Sequence, residues 1–182
     1  SGKTTIARIL TRQYEINSGS ITLGGVKLEE ISRETLKKWI VLVPQDPTII
    51  DGNVIDNITL GQEDIPSEKI IDVCRKLKVD NFINQLSEGY ATNLSAGGIN
   101  FSMGQKQLIA LARAYVSDAK ILIFDESTSN IDTETEIMIQ ESLKYIMTQK
   151  TTIIIAHRLS TIHSVNQILV LKNGHIEEKG TH

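Results

Sequence analysis

The sequence predicts an α/β protein with a mainly parallel sheet and an inserted helical segment, and three observations predict it. Runs rich in apolar or β-branched residues at Ile40–Val43, Ile121–Phe124 and Thr151–Ala156 lack the alternation of a half-exposed strand, as strands covered on both faces do. Helical periodicity fills much of the remainder, with Thr133–Met147 the longest stretch. Each of the three runs leads into polar residues, at Gln45, at Asp125-Glu126 and at His157. In an open parallel sheet such strand ends line the ligand crevice.

The bulk numbers bound the reading. A chain of 182 residues with 40% hydrophobic content is long enough for one domain with a real core. A formal charge of -3 and a pI near 5.8 give no electrostatic reason to expect nucleic acid as a partner. No apolar run approaches the roughly 18 residues of a membrane span. The single cysteine, Cys74, excludes an internal disulfide, fits a reducing compartment, and is expected as a small buried apolar residue on a helix. The chain starts inside a motif and without Met, which leads us to expect a piece of a larger polypeptide whose N-terminal strands lie upstream.

Taken in order, Ser1-Gly2-Lys3-Thr4-Thr5 matches the last part of the phosphate loop G-x-x-x-x-G-K-[ST]. There Gly2 lets backbone N–H groups approach phosphate, Lys3 reaches the β- and γ-phosphates, and the Thr4 hydroxyl suits Mg²⁺. Four residues alone also occur by chance. The following helix should carry an apolar stripe of Ile6, Ile9 and Leu10 and aim its positive end at the anion. Residues 17–25 read as turn, short strand and turn, and Ser32 as the N-cap of a helix reaching Lys38. Prolines 44 and 47 bracket Gln45 and stop both strand and helix, leaving a polar side chain on a loop at a strand end. Taken in isolation, Gln45 is better read as part of an ordinary surface turn.

From about Asp51 to Ser117 the pattern becomes short and helical. Ser67 reads as the cap of a helix with Ile70, Ile71, Val73, Cys74 and Leu77 apolar, and Val79–Leu86 adds another short amphipathic piece. Gly97–Gln105 forms a small-residue approach to a helix whose apolar face includes Leu108, Leu111, Ala112 and Tyr115. Ser102 and Gly104 sit where a helix start offers a hydroxyl and backbone N–H groups, suited to an anion or to simple capping. We therefore divide the chain into a sheet core, 1–50 and 118–182, and a helical subdomain, 51–117.

Asp125 and Glu126 are the pair hardest to explain by packing, because uncompensated charge at the end of a buried strand is costly. A bound cation facing Asp125 and a water facing Glu126 would account for them; capping of the next helix is the plainer alternative. His157, at the last strand's end, suits either a structural hydrogen bond or the same crevice. Asn166–Leu171 and His175–Glu178 should form a hairpin turned at Asn173-Gly174. His163, His175 and His182 have no metal-ligand spacing and are read as surface residues.

With S-G-K-T-T, P-Q-D, F-S-M-G-Q-K-Q, I-L-I-F-D-E-S-T, S-N-I-D and I-A-H-R in this order, essentially the whole chain resembles the nucleotide-binding domain of ABC transporters. The resemblance implies a RecA-like P-loop NTPase core. It implies that Ser1, Gly2, Lys3, Thr4 and Thr5 belong to the Walker A loop, Gln45 to the Q-loop and Phe101–Gln105 to the signature. It likewise implies that Asp125 and Glu126 end the Walker B strand, that Ser129–Asp132 is the D-loop and that His157 is the switch histidine. Two such domains would bind head to tail and clamp two ATP molecules. Lys3 and His157 of one copy would face Ser102 and Gly104 of the other, with Gln105 and Asp132 also on the nucleotide side. Thr4, Gln45 and Asp125 would hold Mg²⁺, Glu126 would polarise the attacking water, and the ATPase would drive export through a membrane domain from the cytoplasmic face.

D-E-S-T and A-H-R-L-S-T-I look like exporters with membrane and ATPase domains in one polypeptide, and Thr92–Phe101 leans toward bacterial peptide or bacteriocin exporters, with multidrug and lipid exporters close behind. Three departures stand out. The upstream half of the phosphate loop and the adenine-stacking aromatic are missing, so a free 182-residue fragment should bind ATP poorly. Met103 replaces a glycine of the signature, and Ala96 stands where these exporters usually carry an acid. Either change would suit a weakened site in an asymmetric heterodimer, so a regulatory module with slow hydrolysis is the alternative. A chromosome-structure or repair ATPase would need long coiled coils, and no sustained heptads occur here. A nucleotide kinase leaves the signature and D-loop unexplained.

Overall fold

A computed structural model describes residues 2–62, 64–94, 101–125, 131–156 and 159–182, except for the side chains of 159 and 160. Helix α1 (Lys3–Leu10) is followed by a small antiparallel hairpin, β1 (Thr22–Leu23) with β2 (Val26–Lys27), then α2 (Arg33–Trp39) and β3 (Ile40–Val43). Ser32 caps α2 as the sequence predicts, its hydroxyl accepting from the Thr35 amide at 3.1 Å. Next come α3 (Val54–Thr59), α4 (Ser67–Lys76), α5 (Asp80–Ile83) and α6 (Met103–Val116). The chain continues through β4 (Ile121–Asp125), α7 (Thr133–Gln149), β5 (Thr151–Ile155) and the single turn α8 (Leu159–Ile162). It ends in the antiparallel hairpin β6 (Ile168–Lys172) and β7 (His175–Gly180).

Strands β3, β4 and β5 form one parallel sheet in that order. Because successive side chains of a strand point to opposite faces, the sheet separates two apolar layers. Val41, Val43, Leu122, Phe124 and Ile154 join the layer built by α3 to α7. Ile40, Leu42, Ile121, Ile123, Ile153 and Ile155 join the other, with Ala7 and Leu10 of α1 and Leu36 of α2. Double coverage is why these strands show no alternation in sequence. Full burial of a side chain such as Val43, Ile123 or Phe124 is worth about 1.5–3 kcal/mol, so the sheet is the platform on which strand-end residues are held.

The first apolar layer is centred on α6, which is buried on nearly all sides from Gln107 to Ala112 rather than along one stripe. Its C-terminus is closed by Lys150, whose Nζ donates to the carbonyls of Tyr115 at 3.1 Å and Ser117 at 2.7 Å. Burial lowers the pKa of that ammonium. Two local expectations fail. In α1 the buried residue is Ala7, 2% exposed; of the expected stripe, Leu10 packs onto the same layer while Ile6 is 41% exposed. Ser67 is not a cap: Pro66 holds the N-cap position and makes no side-chain bond, so Ser67 is the first helical residue. The terminal hairpin does turn at Asn173-Gly174, both with positive φ (50° and 81°) as a two-residue turn of this kind requires.

Cys74 lies fully buried on α4, and desolvation pushes its thiol up to about 12. At pH 8 only about 10⁻⁴ of it is thiolate, against roughly a quarter of a free cysteine. Native protein should therefore alkylate with iodoacetamide at least about 10³ times more slowly than protein in denaturant. Mass spectrometry of the adduct checks this, and comparable rates would place the thiol at the surface.

Candidate functional site

Gly2 occupies the N-cap of α1 with φ 89° and ψ 0°, a left-handed conformation that side chains rarely adopt, and no side chain caps the helix there. The first turn of α1 carries no acid. A helix start without a capping side chain or a repelling carboxylate favours an anion, through N–H groups that the helix itself leaves unsatisfied. Lys3 is half-buried at the first helical position, with Thr4 and Thr5 exposed beside it.

Strand parity brings this helix to Asp125. Asp125 ends β4 two residues after Ile123, whose side chain faces the α1 layer, and the same alternation turns the Asp125 carboxylate toward α1. The Thr4 hydroxyl donates to Asp125 Oδ2 at 3.3 Å, joining residues 121 apart in sequence. A hydroxyl and a carboxylate side by side are hard oxygen donors, and Mg²⁺ is commonly bound through one or two carboxylates with phosphate oxygens and water completing its shell. Among the described residues no cluster of three or more His, Cys, Asp or Glu could hold a metal by itself. The donor set therefore fits an ion that arrives with a phosphate ligand.

Register aligns the neighbouring strand ends with this point. Val43 pairs with Phe124, and Phe124 with Ile154, so β3, β4 and β5 finish at one edge. Gln45, two residues beyond β3, has an exposed side chain, while its backbone is fixed by residues that the sequence pattern did not single out. Gln107 of α6, fully buried, donates from Nε2 to the Gln45 carbonyl at 3.2 Å. Arg113 of α6 donates to the carbonyl oxygens of Thr48 at 3.2 Å and Asn57 at 2.9 Å. Asn57 of α3 in turn pairs with both backbone groups of Ile50, at 2.8 and 2.9 Å. The loop after β3 thus hangs on helices of the other layer, and burial lowers the Arg113 pKa. Polar side chains inside an otherwise apolar helix were the available signal.

The start of α6 is a capping box: the Gln105 amide donates to Ser102 Oγ at 3.2 Å, and the Ser102 amide to Gln105 Oε1 at 3.0 Å. Ser102 is exposed, Met103 half-buried and Gly104 buried. The Gln105 carboxamide is thus engaged within its own helix turn, and the Ser102 hydroxyl keeps a proton to donate outward. Phe101 is buried, its ring edge-on to Phe82 at 5.7 Å. Asp132 caps α7, accepting from the Thr135 amide at 2.8 Å, and the Thr135 amide and hydroxyl hold its carboxyl below the usual range. The structure therefore joins Thr4 to Asp125 and aligns Gln45 with them at one sheet edge. It gives Ser102, Gly104, Gln105 and Asp132 a second location at the neighbouring starts of α6 and α7. Ser1, Ala96, Glu126, Ser129 and His157 lie outside the described residues.

The family model described as ABC transporter matches residues 1–129. The whole chain is 47% identical to 31% of the ATP-dependent lipid A-core flippase of Legionella pneumophila (strain Paris). It is 42% identical to 29% of the fatty acid ABC transporter ATP-binding/permease protein of Mycobacterium tuberculosis. Over 181 residues it is 41% identical to 13% of ABC transporter B family member 2 of Dictyostelium discoideum. The chain thus spans about a third or less of the length of these relatives. It belongs to the ABC transporter family, and within that family it is an ATP-binding domain.

Proposed function

We propose that the protein to which this chain belongs hydrolyses ATP with Mg²⁺ and uses the energy to export a substrate through a transmembrane domain. What carries this reading is the 3.3 Å contact between Thr4 and Asp125 at a helix start and a buried strand end, in a chain of this family. Lys3 and the amides of the α1 start would bind the β- and γ-phosphates, with Thr4, Asp125 and Gln45 holding the cation. Mg²⁺, when bound, would neutralise charge on the phosphate oxygens. Glu126 would orient the attacking water, and His157 would sit by the γ-phosphate. Catalysis of this kind is mostly positioning and charge stabilisation.

Ser102 is exposed while Thr4 and Asp125 lie at the sheet edge, which supports a second copy, or a related domain, as the source of a facing Ser102 and Gly104 at each ATP. In the same reading residues 1–50 and 118–182 act as the nucleotide-binding core, residues 51–117 as the subdomain that meets the partner copy, and the assembly lies on the cytoplasmic face of a membrane. Among the described residues no helix is long and apolar enough to cross a membrane, so the membrane domain would be supplied by other sequence, as the name ATP-binding/permease indicates for one relative. Relatives named for a cargo handle lipid A-core or fatty acid, which favours an amphipathic lipid-like cargo over the peptide suggested by Thr92–Phe101.

Purified full-length protein should release phosphate from ATP only with Mg²⁺, with a sigmoidal dependence on ATP as expected for two coupled sites. Tight ATP binding without phosphate release would instead identify a regulatory module.

A further inference from the structure

The starts of α6 and α7 meet at a point with no spare volume. Gly104, second residue of α6, is buried, and a Cβ built on it would overlap Thr135 Cγ2 while standing 3.0 Å from Ile131 Cγ2 and 3.1 Å from Thr135 Cβ. Its backbone is helical and not left-handed, so conformation is not what demands glycine here. Volume is. Thr135 cannot easily yield, because its amide and hydroxyl both bind the Asp132 carboxylate that caps α7. Gly104 is likewise fixed, lying between Ser102 and Gln105 in the capping box of α6.

We propose that Gly104 and Thr135 form a positioning contact that locks the Ser102 cap of α6 to the Asp132 cap of α7, so that both helix starts meet a nucleotide as one rigid unit. The inference rests on the ATPase reading above, since Ser102 and Asp132 are both assigned there to the nucleotide side. It gives glycine at 104 a reason within its own subunit, separate from any close approach of backbone to phosphate. Interiors at native density transmit such a displacement instead of absorbing it.

The test compares full-length wild type, Gly104→Ala, Thr135→Ser and the double variant. Thr135→Ser deletes the methyl nearest the new Cβ and keeps the hydroxyl and amide that hold Asp132. Gly104→Ala should lower kcat at saturating ATP by about tenfold or more and lower the calorimetric transition of the domain by about 3 °C or more, as overpacking does. Thr135→Ser alone, which loosens the contact without crowding it, should lower kcat by about threefold while the thermal transition stays within about 2 °C of wild type, and the double variant should recover at least about half of both Gly104→Ala losses, a coupling expected only of residues in contact. A double variant as inactive as Gly104→Ala, or a Gly104→Ala protein as active and stable as wild type, would overturn the proposal. Where Gly104→Ala yields no folded protein, recovery of folded protein in the double variant supports the contact and failure to recover it counts against it. Should wild type itself release no phosphate, the ATPase reading fails, while rescue of the thermal transition still decides the contact.

Discussion

Asp125→Asn lowers Mg²⁺-dependent phosphate release from the full-length protein by about 10²–10³, the usual cost of deleting one preorganised electrostatic partner. The expectation follows from the geometry at the end of β4. Asp125 is half-buried, its neighbours Leu122 to Phe124 are apolar, and its carboxylate touches the Thr4 hydroxyl at 3.3 Å. Asparagine is nearly isosteric and its carboxamide oxygen accepts the same hydroxyl proton, so the strand end and α1 keep their contact while the negative charge disappears. Calorimetry should therefore show a thermal transition within about 2 °C of wild type, a change of about 1 kcal/mol or less in a domain this size. Raising Mg²⁺ should recover part of the activity if the lost charge served the cation, since a weaker ligand raises the concentration needed for half-saturation. Full hydrolysis at ordinary Mg²⁺ would show that the carboxylate is structural and that the cation binds elsewhere.

How much of this was legible in sequence depended on the range of the interaction. The buried parallel strands showed themselves because double coverage removes alternation at Ile121–Phe124, and the Ser32 cap and the Asn173-Gly174 turn because their chemistry is local. Lys3, Thr4 and Asp125 could be proposed from sequence because phosphate and cation chemistry accept few residue types. That Thr4 and Asp125 meet was implied by the family resemblance alone, since no periodicity connects positions 121 apart; the parity of β4 and the placement of α1 against Ile123 are how the fold brings them together. The supports of the loop at Gln45 escaped for the same reason, with Gln107 and Arg113 bonding to partners 56 to 65 residues away. Gly104 was singled out in the sequence only for the backbone N–H groups of a helix start. That Thr135 and Ile131 fill the space where its Cβ would stand is visible only once α6 and α7 are packed together. Ile6 and Ser67 misled because a stripe of large residues and a hydroxyl before an apolar run are averages, and both are overridden by which neighbour the helix meets.

Glu126→Gln should divide binding from turnover: nucleotide affinity of the full-length protein stays within about threefold of wild type, while phosphate release falls by about 10²–10⁴, the range typical of a lost general base. Glu126 directly follows Asp125, the last residue of a strand whose parallel neighbours finish at the same edge. A carboxylate at that point has two possible employments, cation ligand or water-orienting base, and the two variants tell them apart. If Asp125 serves the cation, Asp125→Asn shifts the Mg²⁺ dependence. If Glu126 serves the water, Glu126→Gln leaves that dependence unchanged and traps ATP uncleaved, because glutamine keeps the shape and the hydrogen bond but accepts no proton. The trapped state should accumulate as a two-copy, ATP-loaded complex by size-exclusion chromatography, since hydrolysis would otherwise dissolve it. Unchanged turnover in Glu126→Gln would transfer the base to another residue, with His157 the next to be tested by replacement with Ala.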